Sequence, residues 1–182
     1  MIEKSELRKK VRAAKREVPL ENKIQLSKPI MEGVEALEEF RNAQTVLMYW
    51  SMDDEVYTHD FVNRWYREKC VLLPCVEGDD LLLRQYGGME SMRPGPQFSI
   101  LEPTGPVFTD LDAVEMIVVP GVAFDRHNNR MGRGRGFYDR LLKSTPHAVK
   151  VGVAFSFQIF DEIPVEPFDV PMDKVISGSS SF

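Results

Sequence analysis

The residues whose types and spacing can do chemistry gather in one stretch. Gly132, Gly134 and Gly136 alternate with Arg133 and Arg135, and Arg130 and Arg126 lie just upstream. Glycine N–H groups interleaved with guanidinium forks form a cradle suited to polyphosphate. Asp139 follows the last glycine by three residues. A carboxylate there can carry a magnesium ion whose other ligands are phosphate oxygens and waters. The Lys-Ser/Thr pair of a Walker A loop is absent, and the glycine spacing is not that of a dinucleotide fingerprint. Composition alone also allows a flexible surface loop, or an RNA contact of the Arg-Gly kind.

The flanking elements favour an ordered site. Met116–Val119 is a short, largely β-branched run that predicts a buried strand. Pro120–Gly136 reads as a loop with four glycines and four arginines. Phe137–Leu142 begins an apolar-periodic helix. Strand, glycine-rich loop and helix is an arrangement by which α/β proteins hold phosphate.

The same stretch carries a resemblance. Pro120-Gly121-Val122-Ala123-Phe124-Asp125 and Arg130-Met131-Gly132-Arg133-Gly134-Arg135-Gly136-Phe137-Tyr138-Asp139 resemble the signature of the 5-formyltetrahydrofolate cyclo-ligase family, Pro-Gly-x-Ala-Phe-Asp followed by Arg-Leu-Gly-x-Gly-x-Gly-Tyr-Tyr-Asp. Asn128 stands where that family usually has glycine, and Asn tolerates the left-handed conformation. Phe137 replaces the first tyrosine and drops a hydroxyl.

Composition sets outer bounds. A chain of 182 residues predicts one domain over 1–182, with N-terminal helices over 1–40 packed on it. No apolar run nears the roughly 20 residues that span a bilayer, and the charged start has no apolar core like that of a secretion signal. The expectation is a cytoplasmic protein without membrane contact. A net charge of −5 disfavours general nucleic-acid binding. Cys70 and Cys75 read as buried thiols of a reducing compartment, on opposite strand faces. The three histidines, His59, His127 and His147, form no metal spacing.

Along the chain, Glu3–Glu17 predicts a helix with Leu7, Val11 and Ala14 as its apolar stripe. Lys4, Arg8 and Arg12 form a basic line, which spacing alone reads as a solvated face. The family begins with a Lys-x-x-x-Arg helix that contacts ATP, and Lys4-Ser5-Glu6-Leu7-Arg8 is similar to it. Leu20–Phe40 predicts a helix broken or kinked at Pro29. Thr45–Trp50 is the first core strand, followed by a loop where open α/β sheets place ligands. In that loop Glu55 suits two parallel N–H bonds from an amino-pyrimidinone; Asp53 and Asp54 are as plausible by chemistry alone. The resemblance assigns Trp50 and Glu55 to the folate, with Trp50 where an aliphatic residue is usual. Thr58 is the expected N-cap of a helix over 58–69. Strands follow at Cys70–Val76 and Leu81–Tyr86, and then a Gly- and Pro-rich loop over 87–97, a lid candidate. Phe98–Pro103 resembles a structural segment of the family, with Glu102 a weak site candidate. Ala148–Phe155 is a further strand. In the tail, Gln158, Asp169 and Asp173 match the family pattern, and Phe168 replaces its usual histidine.

The order of elements predicts an α/β three-layer domain with a mostly parallel central sheet. The resemblance implies a fold akin to sugar-phosphate isomerases and CoA-transferases. It implies ATP- and magnesium-dependent closure of 5-formyltetrahydrofolate to 5,10-methenyltetrahydrofolate, ADP and phosphate, by a monomer. It assigns Lys4 to Arg8 and Arg130 to Tyr138 to ATP, with Arg130 and Arg133 stabilising charge. It assigns Trp50, Glu55 and Arg133 to Phe137 to the folate, and Asp139 and Asp173 to magnesium. No residue stands out as an acid or base. Two alternatives differ in substrate: an ATP-dependent paralogue acting on another formamide or pterin, and a sugar-phosphate protein of the same fold. A non-catalytic folate or RNA binder is another.

Overall fold

The structure is a computed structural model that describes residues 2–96 and 100–178. Three helices come first: α1 (Lys4–Arg16), α2 (Leu20–Glu35) and α3 (Glu38–Asn42). Then follow β1 (Thr45–Leu47), α4 (His59–Trp65), β2 (Cys70–Glu77), β3 (Asp80–Gln85), β4 (Met92–Pro94) and β5 (Leu101–Pro103). The second half holds β6 (Met116–Val119), β7 (Ala123–Asp125), β8 (Arg130–Met131), α5 (Phe137–Lys143), β9 (Val149–Ala154), β10 (Ile159–Phe160) and β11 (Lys174–Ser177).

The main sheet has the order β11-β9-β6-β1-β2-β3, parallel throughout except for β3 at its edge. Alternate residues of each strand face opposite sides. Val46, Val71, Met116 and Val118 pack with α2, α3 and α4 through Ile30, Val34, Phe40 and Val62. Leu47, Leu72, Ile117 and Val119 pack with α5 through Leu141 and Leu142. Both faces are covered, so the inner strands read as continuous apolar runs. This is the three-layer, mostly parallel arrangement expected from the element order. α1 lies apart, with Leu7 and Val11 on Val122 and on Ala123 and Met131 of the small sheet β10-β7-β8.

Chain direction across the sheet reverses between β1 and β6. From β1 the chain passes through α4 to β2 on one side; from β6 it passes through α5 to β9 on the other. In open α/β sheets a crevice forms at such a switch point, beyond the carboxyl ends of the strands.

Several boundaries differ from expectation. Helix α2 runs unbroken through Pro29 and stops near Ala36 instead. Pro29 and Gln25, whose carbonyl loses its partner, both lie on the exposed side of the helix. β1 ends at Leu47, three residues early, although Met48 N–H still donates to Leu72 O at 2.9 Å. α4 ends at Trp65. The expected loop over 120–136 contains the β7–β8 hairpin, and the lid candidate over 87–97 contains β4 paired with β5. Gln97, Phe98 and Ser99 lie outside the described residues. Cys70 is only half-buried, whereas Cys75 is buried, and both are free thiols.

Candidate active site

A cavity of about 910 Å³ opens at the switch point. That is near the top of the roughly 300–1,000 Å³ usual for ligand sites. Its walls come from α1, the segments after β1 and β6, the Arg130–Asp139 run and the Glu166–Asp169 turn. Pro74, Val76 and Leu81 add an apolar patch.

The glycine run is ordered by neighbours as well as by its own backbone. Gly134 has φ 106° and Gly136 φ 72°, conformations that side-chain-bearing residues rarely adopt. Gly136 caps the start of α5. Arg8 Nε donates to Gly132 O at 2.9 Å, which ties α1 to the loop. Arg130 is buried, and its Nε donates to Pro120 O at 2.7 Å. Its Nη1 stands 4.0 Å from Asp139 Oδ1, and its guanidinium lies over the Tyr138 ring. Burial lowers the Arg130 pKa and Asp139 opposes the shift. Burial likewise raises the Tyr138 hydroxyl, so it stays protonated.

The hairpin before this run is braced from afar. Buried Asp125 accepts hydrogen bonds from the backbone of His127, Asn129 and Ile163, and from the Asn129 amide. Asn128 takes φ 65°, the left-handed turn expected where the family has glycine. Gln158 donates to the carbonyls of Gly121 and Val122 and closes the turn from behind.

The loop after β1 is closed by a reciprocal pair. Ser51 N–H donates to Thr58 Oγ1 at 3.1 Å, and Thr58 N–H donates to Ser51 Oγ at 3.0 Å. The Thr58 hydroxyl donates to Tyr49 O, so it does not cap α4 as expected. Glu55 accepts from Met52 N–H at 2.9 Å and is largely buried. Burial pushes its carboxyl above the usual range, against the Met52 N–H and Arg133. Trp50 stacks on His59 with ring centroids 3.8 Å apart, and Tyr86 stacks near it at 5.8 Å.

Most expected site residues meet here. Lys4, Arg8, Trp50, Glu55, Arg130–Tyr138 and Asp139 all line the one cavity. Ser5 and Glu6 instead face solvent, and Leu7 is buried beneath α1, as helical periodicity requires. Asp173 is also not brought in. It sits before β11 at the amino ends of the strands, where its carboxylate accepts from Lys150 N–H at 2.8 Å. Asp169 lines the cavity in its place. Its carboxylate accepts from Lys4 Nζ at 3.1 Å, and the next N–H, of Val170, donates to Asp139 Oδ1 at 3.4 Å.

These carboxylates fit a hydrated cation. Asp139, Asp169 and Glu166 offer oxygen donors on the cavity wall. Among the described residues no three His, Cys, Asp or Glu gather closely enough to cage an ion. One or two carboxylates, with waters and phosphate oxygens completing the shell, is how magnesium is usually held.

Sequence reasoning missed Lys15, Asp54 as Arg133's partner, and Glu166. Lys15 had a signal. The spacing 4, 8, 11, 15 follows one helix face, while Arg12, chosen by steps of four, turns out to solvent.

Comparison with known proteins gives one consistent picture. The 5-formyltetrahydrofolate cyclo-ligase family profile matches residues 1–178. A 5-formyltetrahydrofolate cyclo-ligase of Haemophilus influenzae is 33% identical over 150 residues, covering 78% of this chain and 80% of that protein. The mouse protein of the same name is 26% identical, covering 97% and 92%. The solution structure of Aquifex aeolicus 5,10-methenyltetrahydrofolate synthetase is 36% identical, with TM-score 0.86 over 97% of this chain and 90% of that one. A Mycoplasma pneumoniae synthetase, 24% identical, shares the fold, with TM-score 0.77 over 96% of this chain and 98% of that one.

Proposed function

The chain belongs to the 5-formyltetrahydrofolate cyclo-ligase family and converts 5-formyltetrahydrofolate to 5,10-methenyltetrahydrofolate; we propose that ATP drives the closure by phosphorylating the formyl oxygen in this cavity. The carrying observation is that Lys4, Arg8, Arg130 and Arg133, the glycine run, and Glu55 line one cavity. A formamide oxygen is a poor leaving group. Transfer of the γ-phosphoryl group converts it to a phosphate ester and releases ADP. N10 then attacks the activated carbon and loses its proton, and phosphate departs with the former formyl oxygen.

Phosphoryl transfer needs positioning and charge neutralisation more than a covalent residue. Arg130, fixed by Pro120 O, and Arg133 face the transferring group. Lys4 and Arg8 hold the outer phosphates together with the N–H groups of the Gly132–Gly136 backbone. Glu55 accepts the amino-pyrimidinone edge of the folate, and Trp50, held flat against His59, covers its ring. Asp139, with Asp169 rather than Asp173, is the place for magnesium, which when bound neutralises phosphate oxygens.

The test mixes the protein with 5-formyltetrahydrofolate, magnesium and ATP and follows the absorbance of the methenyl product. Product formed only with ATP, with one ADP per turnover, is expected. Product at the same rate without ATP overturns the proposal.

A further inference from the structure

Beside the cavity lies a run of four charged side chains from three parts of the sequence. Lys15, buried on α1, sets its Nζ 3.7 Å from Asp54 Oδ2. Asp54 holds a single nitrogen of Arg133, Nη2, at 3.1 Å from Oδ1 and 3.2 Å from Oδ2. The same nitrogen stands 3.8 Å from Glu55 Oε2. Arg133 and Glu55 line the cavity, whereas Asp54 and Lys15 do not. The latter two therefore reach bound reactants only through Arg133.

We infer that Lys15 and Asp54 are positioning residues for the phosphoryl transfer: they hold Nη2 of the Arg133 guanidinium and leave Nη1 to donate to the phosphoryl group. Nη1 has no partner among the described residues. The inference rests on the proposed role of Arg133.

Two physical arguments carry it. Arg133 sits between Gly132 and Gly134 on a loop, half-exposed, so its own backbone does little to fix the fork. An arginine already held by a carboxylate loses less freedom when it meets its ligand. The second argument is charge. Two cations and two anions balance. Without Lys15, Asp54 and Glu55 both pull on Arg133 uncompensated and draw its fork back from the cavity. Without Asp54, Arg133 and buried Lys15 are left to repel each other. The titration tendencies agree with an ionised pair. For Asp54, burial works upward, but Lys15 and Arg133 outweigh it and hold the carboxyl below its usual range. For Lys15, burial lowers the pKa and Asp54 opposes.

The experiment compares Asp54→Asn, Lys15→Met, Lys15→Arg and Arg133→Met, with each of the first two also made in the Arg133→Met background. Single-turnover rate, ATP affinity and thermal midpoint are measured for all. Partners that orient a site residue typically matter by about 10–100-fold. A roughly tenfold loss of rate in Asp54→Asn and Lys15→Met is expected, with ATP affinity changed much less. Lys15→Arg retains most of the rate, and neither substitution slows the Arg133→Met protein further. Asp54→Asn is nearly isosteric and keeps the fold even if Lys15→Met does not. Equal losses with and without Arg133, or wild-type rates in both single variants, overturn the inference. An Arg133→Met protein that turns over normally shows instead that the proposed role of Arg133 is wrong.

Discussion

Arg8 donates its Nε–H to the carbonyl of Gly132 at 2.9 Å, across 124 residues of sequence. This bond joins the first helix to the glycine run and makes an otherwise peripheral helix a wall of the site. A hydrogen bond from a charged group contributes about 1.5–3 kcal/mol. Arg8→Ala is therefore expected to weaken ATP binding by about 10–100-fold while the folate KM changes little. Isothermal titration with a non-hydrolysable ATP analogue reads this directly; unchanged affinity contradicts the assignment.

Glu55 sets a pH dependence. Burial raises its pKa, so folding takes up a proton there. The resulting stabilisation is full below the ordinary carboxyl pKa and is lost as pH rises through the higher folded-state value. The folate contact proposed for Glu55 needs the other form, the carboxylate. The folate KM therefore rises as pH falls through that value. Glu55→Gln abolishes this limb, weakens folate binding about tenfold or more and raises the thermal midpoint at neutral pH. A Glu55→Gln protein with the wild-type pH profile contradicts the reading.

The carboxylates divide by position. Asp139→Asn and Asp169→Asn are expected to raise the magnesium concentration needed for half-maximal rate by about tenfold or more. Asp173→Asn leaves that requirement unchanged. It lowers the thermal midpoint instead, because it weakens the bond from Lys150 N–H at the start of β11. Magnesium titrations and melting curves on the same three proteins separate the two effects.

Those carboxylates also show where sequence legibility ends. Met116–Val119 came out at its expected bounds because a run buried on both faces carries its own signal. Asp169 and Asp173 stand four residues apart in similar company. Only the course of Val170–Met172, from Asp139 to the carbonyl of Asn128 in the β7–β8 turn, tells them apart. The β7–β8 hairpin was illegible for a related reason. Its two short strands hang on Asp125, which bonds inside the hairpin and also to Ile163, a partner 38 residues away. Pro29 misled because the packing of α2 through Ile30, Met31 and Val34 outweighs a local cost. The pairing of Lys15 with Asp54 joins two residues that sequence spacing does not relate.

Pro29 yields its own prediction. Proline in a helix interior costs up to about 3 kcal/mol relative to alanine. Pro29→Ala is expected to stabilise the protein by about 1–2 kcal/mol and raise the midpoint by roughly 2–8 °C. Activity should be unchanged, since Pro29 is remote from the cavity lining. Calorimetry decides it; a lowered midpoint contradicts the account of α2.

The central claim is that the formyl oxygen itself receives the phosphoryl group. It is tested most directly with 5-formyltetrahydrofolate carrying a heavy-oxygen label in the formyl group. After one turnover with unlabelled ATP in unlabelled water, mass spectrometry of the released phosphate reads the outcome. The account predicts one heavy oxygen in each phosphate formed. Unlabelled phosphate, with the label lost to water, contradicts it.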